Sequence, residues 1–546
     1  MPRNAASQSG GAAWPALRIA ALWLLCGQAA GAVEWPSLDG CDVRLNTTVQ
    51  TSLAARVSAA NPALLANING DDGDRAFNRG VISTRLDLLS ELTIEHGDLG
   101  LDISARGFYD PQYLRRSADA SQQTYNPLDG AADLHPDKVR AELGRNAELL
   151  NAFVRDRLTL DDIPITLRIG RQAVLWGESL FFANNGIAAG QAPVDAVRAL
   201  SDPLAPARDI YLPVGQAWLR AELHPGVALE AYDQFEWRRD QLPGVTSYFS
   251  TDDTLDIGGQ SVLLPGGGYL SRAADSTPHG LGQFGMALRL QQDNADFGFY
   301  ALRYDAKLPQ PIYNYTDNSY RLIFPTCIDM VGASASTYLA SSTIAGEISL
   351  RAHMPLVSGA NGLSAGSSPV LTTGGGYSFV GLPGAPQPPA PLYAGPPVTG
   401  FARGDTWQAQ ISQETQVPPA RFWQGATLQS ELAANDLIGV TAGHGFMAQG
   451  RSHFAASLRT VFTPSYYSVR PGLDISLPIG LTYAPLGRSS IDASQNAGTG
   501  AATVSIGVTY HTVWQAALTY TRFIGGAGDQ PLADRDFVTL SARRSF

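Results

Sequence analysis

Beyond its first 32 residues, this chain of 546 residues holds no apolar run approaching the ~18 that a spanning helix needs. Any membrane span must therefore be built from strands closed on themselves, since lipid cannot satisfy open backbone. Charge is sparse: Asp, Glu, Lys and Arg make up 16%, against roughly 25% in soluble domains. Lysine is almost missing, for among 38 basic residues only Lys138 and Lys307 are lysines. A GC-rich genome gives that bias, and so do arginine ladders inside a barrel, where the guanidinium fork meets carboxylates. The eight histidines stand singly, without a zinc-binding pair, and there is neither a Gly-x-Ser-x-Gly elbow nor a phosphate loop. Only His444, in Thr441-Ala-Gly-His-Gly445, has a Gly-rich setting, and a loop turn accounts for it. These gaps argue against an enzyme and call for no cofactor and no metal.

What the chain does have is turn formers and a leader. Its 56 Gly and 35 Pro suit many strands joined by turns. Met1 to Ala32 carry Arg3 and Arg18, no acid, an apolar run from Ile19 to Cys26, and small residues at Ala30 and Ala32. That is the pattern of a cleavable secretory signal. Leu24 and Leu25 stand before Cys26 where lipidation needs small residues, so cleavage before Val33 is expected, leaving residues 33–546 as one unit. Losing Arg3 and Arg18 leaves 36 of the 38 basic residues against 49 acidic ones, a formal charge of −13. Nucleic acid is an unsuitable partner for such a chain.

Period two dominates the rest. Ile82, Leu86, Leu88, Leu92 and Ile94 share one parity, against Ser83, Arg85, Asp87, Glu91 and Thr93 on the other. After His96, Gly97 and Asp98, the alternation resumes with Leu99, Leu101 and Ile103 against Asp102, Ser104 and Arg106, which makes a hairpin. Ile165, Leu167 and Ile169 alternate with Thr166 and Arg168; Val227 and Leu229 with Glu230; Ile344, Ile348 and Leu350 with Glu347, Ser349 and Arg351. Strands of about ten residues exceed those of soluble sheets and match a tilted membrane crossing.

Connections alternate between short turns and the long stretches Asp110–Asn146, Trp176–Val214, Arg238–Gln283 and His353–Arg403. Outer-membrane barrels have short periplasmic turns and long outer loops. From a first strand Val43–Val57 to a last strand Phe537–Phe546, we expect an all-β fold. It is a single transmembrane antiparallel β-barrel of about 18 strands, with about 16 as the alternative. No plug-sized segment precedes the first strand, which argues against an energy-coupled receptor. Terminal Phe546, with Val538, Leu540 and Ala542 at alternate positions, is the mark offered to barrel-insertion machinery, although Arg544 breaks the apolar parity. Cys41 falls at the periplasmic rim and Cys327 in an outer loop, too far apart for the ~6 Å span of a disulfide.

The segment Trp176 to Asp195 is too apolar for a solvated loop and is expected to fold into the lumen as a constriction. It would set Trp176, Glu178, Phe181, Phe182, Asn184, Asn185 and Asp195 beside a substrate path. The lumen wall would carry Arg85, Asp87, Asp102, Arg106, Arg168, Glu230, Glu347 and Arg351, whose mixed signs suggest inner-wall salt bridges more than a selectivity filter. Asn69-Gly-Asp-Asp-Gly-Asp74 lacks the ligand spacing of a calcium loop and reads as a turn.

Several stretches resemble one family: Arg168-Ile-Gly-Arg171, Leu175-Trp-Gly-Glu-Ser-Leu-Phe-Phe182, Asn184-Asn-Gly-Ile187 and Gly190-Gln-Ala-Pro-Val-Asp195. So do Arg85-Leu-Asp-Leu-Leu-Ser-Glu91, Ala147-Glu-Leu-Leu150, Ser247-Tyr-Phe-Ser250, Met354-Pro-Leu-Val-Ser358 and Arg535-Asp-Phe-Val538. They resemble the proteobacterial outer-membrane barrels catalogued as domain of unknown function 1302, over nearly all the mature chain. Cys327 departs from an acidic residue common in relatives, and Arg544 from an aromatic. The resemblance implies an outer-membrane barrel in a Gram-negative envelope, set among outer-membrane lipid and lipopolysaccharide. It also implies a periplasmic lipid-carrier protein and an inner-membrane transporter as partners, and hence passage of a hydrophobic or amphipathic solute such as a lipid or steroid. The alternatives are a general porin for small polar solutes and a closed structural or adhesive surface barrel.

Overall fold

Hairpin after hairpin carries the chain around a full circle. In this computed structural model residues 33–38, 40–202, 204, 207–255, 257–264, 267–359 and 398–546 are described. The expected leader and most of the Gly/Pro/Ser tract after His353 lie outside them. β1 (Cys41–Arg56) pairs with β2 (Gly80–His96), which turns at Gly97 and Asp98 into β3 (Leu99–Tyr109). β4 (Arg145–Leu160), β5 (Ile163–Gln172), β6 (Val214–His224), β7 (Val227–Gln234), β8 (Gln283–Gln292) and β9 (Ala295–Tyr304) follow. Then come β10 (Ile328–Leu339), β11 (Ser342–Pro355), β12 (Arg403–Val417), β13 (Gly425–Ala442) and β14 (Phe454–Arg470). β15 runs in two pieces, Leu473–Ser476 and Ile479–Leu486, interrupted at Pro478, which has no N–H for the ladder. β16 (Gly500–Tyr510), β17 (Trp514–Ile524) and β18 (Phe537–Ser545) complete the order.

β18 pairs antiparallel with β1, from Thr48 opposite Ser545 to Arg56 opposite Phe537, closing an 18-stranded barrel with no open edge. One extra strand, Val33–Leu38, folds back on β1. The outer face is apolar: Leu88, Ile348, Leu350, Val504 and Leu540 are each 47–52% exposed. A belt of large exposed aliphatics belongs against hydrocarbon. On the alternate parity Glu230, Glu347, Ser349, Arg351, Glu431 and Thr503 are buried inside the barrel.

Local departures from parity have physical causes. Ile82, expected on the apolar outer parity, is 2% exposed, because the register slips between Ala54 and Ala55. That bulge turns Ile82 into a cluster with Phe77, Tyr248, Phe523 and Phe537. Arg544 sits at the β18 rim with its guanidinium 4.8 Å from the Trp514 ring and 4.5 Å from Phe546, so aromatic faces shelter its charge. Cys41 and Cys327 are free thiols, Cys41 lying 3.5 Å from His96 at the short-turn end.

At the long-loop end the connections 57–79, 110–144 and 235–282 join in a cap. Arg56 and Arg535 are buried there against Asp74 and Asp534. A small sheet, Ser261–Leu263, Tyr269–Arg272, Gln310–Asn314 and Ser319–Ile323, lies in the same end, and its second half belongs to a long connection after β9 that parity alone did not reveal.

Candidate functional site

Between β5 and β6 the chain leaves the wall and crosses the lumen as a strap. Gly177 makes the departure possible: its φ is +89°, and a Cβ there would run into the Glu347 carboxylate. The strap continues through two short 3₁₀ turns, Ala183–Asn185 and Ile187–Gly190, to a helix Ala196–Ser201 capped by the Asp195 carboxylate on Arg198 N–H.

The far wall, β11 to β13, holds the strap by its backbone. Glu347 accepts from the N–H of Glu178 at 2.5 Å and of Ile187 at 2.9 Å, and from the Gln410 amide at 2.8 Å. Glu431 accepts from three successive N–H groups, Leu180 at 2.9 Å, Phe181 at 2.5 Å and Phe182 at 2.8 Å. Arg351 donates to the carbonyls of Asn185 and Gly186 at 2.9 and 2.8 Å. The Asn185 amide reaches the Ala409 carbonyl at 3.1 Å. Irregular backbone inside a barrel must find such partners, and here charged side chains supply them. Ile187, at 0% exposure, packs with Met330, Tyr304 and Trp176. Lys307 fixes the carbonyls of Ala189 and Gly190 at 3.2 and 3.0 Å.

The near wall, β3 to β8, behaves differently. Arg106 bridges Glu148 at 3.1 Å and Asp195 at 3.2 Å, tying the strap's end to β3 and β4. Trp176 donates its indole N–H to Glu230 at 2.7 Å, and Glu230 also meets Arg220 at 3.0 Å. Below the strap, toward the short turns, lies a cavity of about 390 Å³ lined by Val174, Leu175 and Trp176 above and, on the wall, by Arg155, Arg157, Arg168, Trp218, Arg220, Arg289 and the one acid Glu230. Arg168 stacks over the Trp218 ring at 4.7 Å.

The expected site residues thus divide. Asn184 is exposed, and Glu178 and Phe182 are half-buried, so these three face the lumen. Trp176, Phe181, Asn185 and Asp195 are buried and position the strap. Among wall residues, Arg85 pairs with Asp87 at 2.8 Å as an inner-wall salt bridge, and Asp102 accepts from Thr93 at 3.1 Å. Glu347 and Arg351, expected to take part in wall pairing, bind strap backbone instead, because the strap's N–H and C=O groups come within reach. Sequence reasoning missed Glu431 and Trp218. Glu431 had a signal, sharing the inward parity of Ala433 and Asn435 in β13.

At the outer end, the Asn69–Asp74 run makes one helical turn, Asp72–Arg75. The connection after β7 brings Asp253 to Asp71 and Asp72, with ligand oxygens all within 4.8 Å and the three residues wholly buried. Burial pushes the Asp71 carboxyl up to about 7 despite its bond to Arg75, and holds Asp72 and Asp253 well above the carboxylate range, aided by their neighbouring acids.

A family model described as "Protein of unknown function (DUF1302)" matches residues 13–546. Among solved structures, OccAB4 of Acinetobacter baumannii is 9% identical at a TM-score of 0.41, covering 92% of this chain and 98% of that one. OccK11 (OpdR) of Pseudomonas aeruginosa is 9% identical at 0.37, with 92% and 96% covered. The outer membrane channel DcaP of Acinetobacter baumannii is 10% identical at 0.38, with 94% and 99% covered. A search of curated proteins finds no match.

Proposed function

The chain belongs to the DUF1302 family, and from that premise we propose that it is a gated outer-membrane conduit for a hydrophobic or amphipathic solute such as a lipid or steroid. The observation that carries this reading is the strap. An apolar, aromatic segment is held across the lumen and turns Val174, Leu175 and Trp176 toward the cavity beneath it. A pore for small ions gains nothing from such a surface, whereas a greasy solute gains roughly 25 cal/mol per Å² of apolar area it buries. The solute meets the outer loops, passes the strap and leaves laterally or to a periplasmic lipid carrier served by an inner-membrane transporter. Insertion machinery recognises the β18 end, and lipid and lipopolysaccharide surround the belt. Transport, not catalysis, is the whole of this role. A second reading, a general porin, draws support from the charged wall of Arg85, Asp87, Asp102 and Arg106.

Reconstitution separates them. Liposomes carrying the barrel should take up steroids or fatty acids faster than empty ones while passing small sugars slowly, and Trp176→Ala with Phe182→Ala should cut the apolar uptake severalfold. Rapid sugar flux with no apolar uptake would establish the porin. A barrel that passes neither would be a closed structural one.

A further inference from the structure

Three N–H donors point to what the cavity under the strap receives. Arg155 Nε, Arg168 Nε and Trp218 Nε1 are buried and have no hydrogen-bond acceptor among the described residues, and all three side chains line this one cavity. A buried donor left unmade costs about 1–3 kcal/mol, so three around one space are a standing demand for an acceptor. The charge agrees. Arg155 reaches Glu95 at 2.5 Å through Nη2, which leaves its buried Nε without an acceptor, while Arg157 and Arg168 form no ion pair among the described residues. The carboxylate in the lining, Glu230, already accepts from the Trp176 indole N–H and pairs with Arg220, and the strap side offers only Val174 and Leu175 beside it.

We propose that this cavity is a binding site for the anionic headgroup of an amphipathic solute, a carboxylate in the first instance. The headgroup lies between Arg155, Arg168 and the Trp218 indole N–H, with Arg157 at the entrance and the hydrocarbon against Val174 and Leu175. A carboxylate has about four acceptor positions, enough for all three donors, and the Arg168 guanidinium lies 4.7 Å over the Trp218 ring, which keeps two of them together. The space of about 390 Å³ admits a headgroup and the first part of a chain. The inference rests on the conduit reading and gives it a polarity: the site lies on the short-turn side of the strap, so a captured anion is held after the constriction, ready for release toward the periplasm.

Calorimetry of the purified full-length barrel in non-ionic detergent tests it, with octanoate, octanol and acetate as probes. Octanoate should bind at least tenfold more tightly than octanol or acetate. Arg168→Gln and Trp218→Phe should each weaken octanoate at least fivefold without changing octanol, and Arg168→Lys should recover only part, since it restores charge but not the fork. Heat-modified gel mobility shows that each variant is a folded barrel. Equal binding of octanoate and octanol, or octanoate binding unchanged in both variants, overturns the headgroup site. Liposome uptake of octanol measured alongside keeps the two ideas apart. Octanol uptake with no octanoate preference refutes the headgroup site and leaves the conduit, while octanoate binding without uptake of either probe supports the site and refutes the conduit.

Discussion

The two walls of the barrel use the same kind of residue in opposite ways. On the far wall Glu347, Arg351 and Glu431 spend their charge on the strap's own backbone, and Glu431 alone satisfies three successive N–H groups. On the near wall the arginines of β4 and β5 line the cavity and keep buried Nε donors without an acceptor among the described residues. Both sets sit on the inward parity of long strands, so position alone does not assign the role. What differs is whether irregular backbone comes within reach. The comparison teaches that a lumen charge is structural where a loop docks and available to solute where none does.

The largest effect expected from breaking this comparison is at Glu431. Glu431→Ala strands three strap N–H groups, one buried and two part-buried, at about 1–3 kcal/mol each, so roughly 4 kcal/mol of local stability should vanish and the strap should lift. Thermal unfolding followed by gel mobility and protease access to residues 177–190 would measure it. Arg351→Met follows, with two strap carbonyls losing a charged donor and an expected loss of roughly 2–3 kcal/mol by the same assay. Gly177→Ala should cost a comparable amount, because the added Cβ meets both a positive φ and the Glu347 carboxylate.

How much of this was legible beforehand follows from range of interaction. Period two showed strands, inward faces and the hairpin at Gly97, because neighbouring strands are close in sequence. The apolar run Trp176 to Phe182 showed that a loop must leave solvent. What it docks on was not readable, since Glu431 lies 249 to 251 residues from its three partners. The slip that buries Ile82 was hidden for a related reason: a bulge is set by the partner strand. The Asp253 contact with Asp71 and Asp72 likewise joins segments about a third of the chain apart.

Those outer acids sharpen the comparison, since they are carboxylates with neither a backbone cradle like that of Glu431 nor a share of the lumen. A carboxyl whose folded value is raised favours folding in its protonated form. Its contribution is full below the unfolded value near 3.8 and is lost as pH rises through about 7 for Asp71. Proteolysis of the outer cap should therefore be slower at pH 5.5 than at pH 8, and Asp71→Asn with Asp72→Asn should flatten that dependence. Faster cutting at the lower pH would contradict the assignment. The smallest effect belongs to Arg85 and Asp87, about a quarter exposed to lumen water; Asp87→Asn should change unfolding by less than about 1 kcal/mol.

Single-channel recording of the wild type beside Glu431→Ala in planar bilayers reads out whether the anchored strap closes the lumen. If the far wall holds the strap across the lumen, the wild type conducts weakly, and the variant opens to a severalfold larger and noisier conductance. Equal conductance from two properly folded barrels would mean that the strap does not close the lumen and that its anchorage by Glu431 is not a gate.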